Sequence, residues 1–285
     1  MKFIRRFRKN KSLRLVNFAG LSIMFACLLL TAGYIKRELS YDRHHINADR
    51  IARLSLQVDD EPVDGRIWGN AINGVLQQMP EIDRTVKMIH VNTAVLTYQG
   101  NHRIVNDIFM VNRDFLHVFD VPLLQGVKDD ALQRDNQAII SESFARQLFG
   151  ELDYDEFLMQ EINIESSRFY GSTIFISGIF KDFPETSHFQ TDILLHLPDD
   201  YEHFAYTYLL LKNQTDTKAL AQKITTLVEE KELFQPAKTR ALLMPLTDIH
   251  LYSHNLREMS VNGNIHYIYL IIGANLLLLT VVLFN

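Results

Sequence analysis

The sequence predicts an α+β domain of two lobes, two βαβ-like halves with a β-rich insert, held between two transmembrane α-helices. Three observations lead there. No Asp, Glu, Lys or Arg occurs from Leu15 to Ile35 or from Met259 to Asn285. Residues 1–14 carry seven positive charges and no acid, so the formal net charge of −5 divides into a basic tip and a remainder of −12. Between the apolar ends, an order of strand, helix and strand occurs twice, once near each end. The averages, 47% hydrophobic and 22% charged, conceal three compartments.

Residues 1–14 read as a basic cytoplasmic segment. Phe3, Ile4 and Phe7 interleave with Arg5, Arg6 and Arg8, a pattern that fits a short helix on an anionic leaflet or a solvated tail. Residues 15–35 follow as the first span: the twenty residues from Leu15 to Tyr34 would rise about 30 Å as a helix, the thickness of the hydrocarbon core. Asn17, Ser22 and Thr31 can bond within or between helices. A cleaved signal peptide fits less well, since its apolar core runs to about 7–15 residues. Lys and Arg are retained on the cytoplasmic side, so the amino terminus belongs there and residues 36–264 outside, periplasmic or extracytoplasmic, in a protein of the cytoplasmic (inner) membrane. The single cysteine, Cys27, lies within the span as a small apolar residue.

After Tyr41 and the turn Asn47-Ala48-Asp49-Arg50, residues Ala52, Leu54, Leu56 and Val58 alternate as a strand with one buried face. Asp59-Asp60-Glu61-Pro62 ends it. Ile72, Val75, Leu76 and Met79 fall at helical spacing before Pro80, and a strand is expected over 85–91. The insert supplies strands at 94–98, 103–111 and 169–182, with a helix from Ser141 to Leu148 closed by Gly150. The second half offers a strand over 206–212, a helix from its cap Asp216 through Glu232, and a strand over 240–245. Residues 36–94 with 204–264 thus form one lobe and 95–203 the other. Residues 265–285, apolar almost all round with Tyr267 and Tyr269 at an interfacial position, read as a second span cut short by the chain end.

Chemistry is sparse. None of the 12 glycines is followed by Lys, so there is no phosphate-cradling loop, and neither GxSxG nor HExxH occurs. His250 and His254 lie four apart without a third ligand, and their segment reads as a surface or membrane-proximal loop. The adjacent His44 and His45 should diverge. The acidic pairs Asp129-Asp130 and Asp199-Asp200 fall at turns. The excess of negative charge disfavours nucleic acid. No catalytic residue, metal or cofactor is called for, and the chain reads as no enzyme.

Several segments together resemble the ABC transporter permeases of the MacB/FtsX type. They begin with Glu38-Leu39-Ser40-Tyr41-Asp42-Arg43 and Asn47-Ala48-Asp49-Arg50-Ile51. They continue with Met79-Pro80-Glu81-Ile82, Phe115-Leu116-His117-Val118-Phe119-Asp120 and Pro122-Leu123-Leu124-Gln125-Gly126. Next come Ile140-Ser141-Glu142-Ser143, Ser177-Gly178-Ile179-Phe180-Lys181-Asp182 and Ser187-His188-Phe189. Pro245-Leu246-Thr247-Asp248-Ile249-His250-Leu251-Tyr252-Ser253, with Asn262-Gly263 before the second span, closes the series. Asp153-Tyr154-Asp155-Glu156-Phe157 departs from the family's acidic-Pro-hydrophobic-Gly-Lys turn. The resemblance implies a MacB-like periplasmic core domain on a non-hydrolytic permease subunit, with further spans expected beyond residue 285. It implies a separate cytoplasmic ABC ATPase, a homodimer or paired permease, a periplasmic adaptor or cargo, and membrane lipid as partners. In that reading Lys36, Arg37, Glu38, Tyr41, Asp42 and Arg43 form a stiff stalk that couples membrane helix to exterior domain. A two-span sensor with a ligand-binding exterior domain is the alternative.

Overall fold

The computed structural model describes residues 11–68, 71–150, 158–166, 169–234 and 236–284. The basic tip through Asn10 and the turn at 153–157 lie outside them.

Helix α1 (Lys11–Glu38) is followed by strands β1 (Ile51–Val58) and β2 (Ile67–Trp68), the short helix α2 (Asn73–Leu76), and strands β3 (Ile82–Tyr98) and β4 (Asn101–Val111). Helix α3 (Phe115–Val118), strands β5 (Leu123–Gly126) and β6 (Gln137–Ser141), helix α4 (Glu142–Phe149) and strands β7 (Glu161–Ser166), β8 (Phe169–Phe180) and β9 (Ile193–His196) complete the insert. Strand β10 (Phe204–Leu211), helix α5 (Thr217–Glu230), strand β11 (Thr239–Pro245), helix α6 (Ile249–Tyr252) and helix α7 (Ile265–Phe284) close the chain.

The two βαβ-like halves interleave. Strand order is β11-β1-β10-β3, with every neighbouring pair antiparallel, so β10 of the second half lies between β1 and β3 of the first. This is a split βαβ sheet, a topology in which each half completes the other. Helix α5 packs on one face: Leu220, Ile224 and Val228 meet Leu54, Leu56, Leu209 and Ile72. Its start is fixed by Asp216, whose carboxylate accepts from the backbone N–H of Lys218 and Ala219, as an N-cap should.

The opposite face of the sheet is covered too. Ile51, Tyr206, Tyr208 and Leu210 pack against Phe115, Phe119, Phe189 and Ile249. Strand β1 is therefore buried on both faces along Ile51–Leu56, where alternation alone predicts one. The side presumed wet carries Arg53 and Ser55, and both are buried. Polar residues at alternate positions mimic a solvent face when their partners come from the far end of the chain.

The strands expected at 85–91 and 94–98 are one continuous strand, β3. Its first part pairs with β10 and its second with β4 and β7. From there the pairings run β3 to β4, β4 to β9, β9 to β6, β6 to β8, β8 to β7 and β7 back to β3. The insert is thus a closed circuit of six strands around Leu96, Ile108, Ile140, Ile162, Ile164, Ile176 and Ile193, with few exposed edges. At its rim Gly126 has φ +96, and a Cβ there would lie 2.6 Å from the Ser177 carbonyl oxygen. Only glycine allows β5 that close to β8. Helix α4 runs from its cap Ser141, whose hydroxyl accepts from Phe144 N–H, to Gly150, matching the sequence reading. Strands β2, β5, β6 and β9 escape it, being two to five residues long without a clear alternation; β7 also escapes it, although Ile162 and Ile164 alternate with polar residues over its six positions.

The apolar stretch Phe18–Glu38 of α1 is long and apolar enough to cross a bilayer. Helix α7 packs against it, and the Asn275 Nδ2 amide donates to Thr31 Oγ1 at 3.0 Å. Each polar side chain thereby finds a partner away from hydrocarbon.

Candidate functional site at the base of the domain

Where α1 enters the domain it stays helical to its end, then turns sharply. Leu39 N–H still donates to Ile35 O, and Ser40 N–H to Arg37 O. Asp42 then adopts φ 57, a left-handed conformation that aspartate tolerates better than most residues. This turn aims its carboxylate inward, where it is fully buried.

Asp42 Oδ1 accepts from the His188 backbone N–H at 3.1 Å and pairs with His188 Nδ1 at 2.9 Å. His188 Nε2 meets the Tyr208 hydroxyl at 2.7 Å, and Asp42 N–H donates to Thr186 O. Burial pushes the Asp42 carboxyl up, but the charge and hydrogen bonds of His188 outweigh it and hold the group below the ordinary carboxylate range. Burial raises the Tyr208 phenol far above its ordinary value, so it stays neutral. An Asp-His-Tyr chain invites a catalytic reading. With exposures of 0%, 1% and 0%, the three groups are closed off from solvent, and they tie the turn after α1 to β10.

A second contact adjoins the first. Glu38 Oε2 pairs with His250 Nε2 at 2.9 Å, and the Tyr41 ring stacks on His250 with centroids 3.4 Å apart and planes 2° apart. Gly263 closes the gap. A Cβ there would lie 2.9 Å from both Glu38 Oε2 and His250 Nε2, so a side chain would push the pair apart.

The third contact secures the return path to α7. The fully buried Arg53 guanidinium binds Glu258 through both terminal nitrogens, at 2.5 and 2.8 Å, and also donates to Ser253 Oγ at 2.5 Å. Burial pushes the Glu258 carboxyl up, and the hydrogen bonds and charge of Arg53 bring it below the ordinary range. Asn262 Nδ2 donates to Ser253 O, and the Ser260 hydroxyl to His188 O. Both connections between the domain and its helices are therefore locked to one another.

Of the six stalk residues, Glu38, Tyr41 and Asp42 enter this joint. Arg37 makes an exposed ion pair with Glu185 at 3.2 Å. Lys36 and Arg43 face outward, with Arg43 Nε donating to Leu39 O. His250 corrects the loop expected there: it is buried on α6, whereas His254 is exposed. His44 and His45 do not diverge, since their ring centroids are 3.9 Å apart. His188 stands out in the sequence only as part of the resembling segment Ser187-His188-Phe189, and nothing there points to its pairing with Asp42, nor to the roles of Arg53, Tyr208 and Glu258. Arg53, a charge at an alternate position of an apolar strand, came nearest to a signal.

His45 gives the joint a pH dependence. Its Nδ1–H donates to Phe119 O at 2.7 Å, and burial, with the neighbouring His44, lowers its pKa to about 4. The unfolded chain takes up a proton as pH falls through about 6.5, while the folded one resists until about 4. Stability is complete above that upper value and declines by about 3 kcal/mol as pH falls toward the lower one. Thermal unfolding in detergent should show this decline, and His45→Gln should remove most of it. An unchanged pH profile in the variant would show that His45 is not its source.

Comparisons with known proteins agree with this architecture. The family described as MacB-like periplasmic core domain matches residues 15–227. A crystal structure of a domain assigned to a permease protein from Porphyromonas gingivalis superposes with a TM-score of 0.59 at 20% identity, covering 70% of this chain and 91% of that one. The periplasmic region of MacB from Actinobacillus actinomycetemcomitans superposes with a TM-score of 0.50 at 10% identity, covering 71% and 91%. No curated protein sequence matches the chain. With a family match over most of its length and the same fold in both structures, the chain belongs to the MacB-like periplasmic core domain family, that of permeases of the MacB/FtsX type.

Proposed function

We propose that this permease component is itself non-hydrolytic and transmits the work of a separate cytoplasmic ABC ATPase to its exterior domain. Movement of that domain then drives export or activates a partner outside. In this reading the amino terminus is cytoplasmic, α7 is a second span, and the protein works as a homodimer or paired permease with an adaptor or cargo. The observation that carries it is the continuity of α1 into the joint. Twenty-eight helical residues end on Glu38, which is held by His250, and four residues later Asp42 is held by His188. A displacement of α1 is thus passed to the sheet through buried hydrogen-bonded contacts, whereas a flexible tether would absorb it.

The test is a hinge. Lys36→Gly with Arg37→Gly weakens the helix by about 1 kcal/mol per residue and leaves the buried joint residues in place. In the full-length protein reconstituted with its ATPase, the variant should still bind the ATPase but lose most transport and most cargo-dependent change in ATP turnover. Unchanged coupling would rule out the lever.

A further inference from the structure

The base of the domain exposes apolar side chains that a water-facing surface would not favour. Val261 is 96% exposed and Ile46 is 82% exposed, beside the half-exposed Leu39. All three are placed by the joint. Leu39 directly follows α1. Ile46 lies in consecutive tight turns, with Arg43 N–H donating to Ser40 O, His45 N–H to Asp42 O and Ala48 N–H to His45 O. Val261 is held between Ser260 and Asn262, whose side chains are both bonded into the joint, two residues from the Gly263 that touches Glu38. The collar is also cationic. Lys36, Arg37 and Arg43 are exposed, with Asp49 as the exposed acid of the same segment, whereas Glu38 and Asp42 are turned inward on histidines and Glu185 offsets only Arg37. That is a local inversion of charge in a region whose net charge is negative.

Apolar tips and exposed cations in the segments that adjoin the end of a membrane helix lie at the depth of the headgroup region, where apolar side chains can insert and Lys and Arg can pair with lipid phosphates. We propose that this collar is a lipid-binding surface: Ile46 and Val261 insert into the headgroup region, and Arg43 and Lys36 bind lipid phosphates. The inference rests on α1 crossing the membrane. Because the collar and the joint share residues 38–47 and 258–263, lipid contact fixes the angle at which the domain stands on the bilayer.

The experiment uses tryptophan fluorescence of the full chain in nanodiscs. The sole tryptophan, Trp68, is replaced by Phe, and Ile46→Trp, Val261→Trp or Phe25→Trp is introduced singly. Lipids brominated near the headgroup end of the acyl chain should quench the tryptophans at 46 and 261 by about half, consistent with insertion of ~5–10 Å. Lipids brominated near the terminal methyl should quench the tryptophan at 25 instead. Adding phosphatidylglycerol to phosphatidylcholine should deepen quenching at 46, and Arg43→Gln should abolish that increment. If the tryptophan at 25 is quenched while those at 46 and 261 answer only to aqueous iodide, the collar is wrong and the span stands. Protection from both quenchers would mean that protein covers the surface, which also overturns the proposal. If the tryptophan at 25 is not quenched either, the membrane reading falls and the collar with it.

Discussion

Replacing Glu258 by alanine should destabilise the protein by about 3–5 kcal/mol, the usual cost of leaving a buried charge without its partner. Arg53 has no exposed side-chain surface and two of its nitrogens bond Glu258, so the alanine variant leaves a buried guanidinium without its counter-charge. The melting temperature in detergent should fall on the order of 10 °C for a domain of this size. Glu258→Gln, which keeps hydrogen-bonding oxygen but not charge, should fall between. The double variant Arg53→Met with Glu258→Leu should recover much of the loss, because an apolar pair of similar volume avoids desolvating two ions. An alanine variant that melts within about 2 °C of the parent would show that the pair contributes little. The same residues hold the segment leading to α7, so the variant should also loosen that helix from the sheet.

Asp42→Ala should cost about 3 kcal/mol or more, for a related reason. It removes the acceptor of two hydrogen bonds from His188 and puts at φ 57 a residue that tolerates the left-handed region less well than aspartate. Asp42→Asn tolerates the backbone conformation and isolates the loss of charge, so it should be milder. Acid should mimic the alanine variant. The folded carboxyl titrates below its ordinary value, so its stabilisation is complete above about pH 4 and disappears as pH falls through the depressed value. Spin labels on α1 and on β1 read the mechanical consequence: their distance distribution should broaden in Asp42→Ala but stay narrow in the parent. A distribution that remains narrow despite the lost stability would mean that the remaining contacts hold the angle and that Asp42 only stabilises.

Much of this architecture is legible in local pattern. The cap at Asp216, the helix between Ser141 and Gly150, and the apolar run of α1 each depend on residues within a few positions of one another, and each falls where the sequence indicates. Where the partner is distant the reading weakens. His250 resembles a loop residue because Glu38 and Tyr41, which bury it, lie more than 200 positions away. Strand β1 looks half-exposed because the residues covering Arg53 and Ser55 come from 253–258.

The sequence by itself determined the three-part division of charge, the membrane helix, the α+β class and the family resemblance. These follow from composition and short-range periodicity, which report whether a segment meets water, lipid or core. Only the tertiary structure decided that the two halves interleave, that the insert closes on itself, and that Glu38, Tyr41 and Asp42 meet His250 and His188. Strand order and buried ion pairs are set by which distant surfaces exclude water together. That is a property of the folded chain as a whole, with no signature in the residues next to each partner.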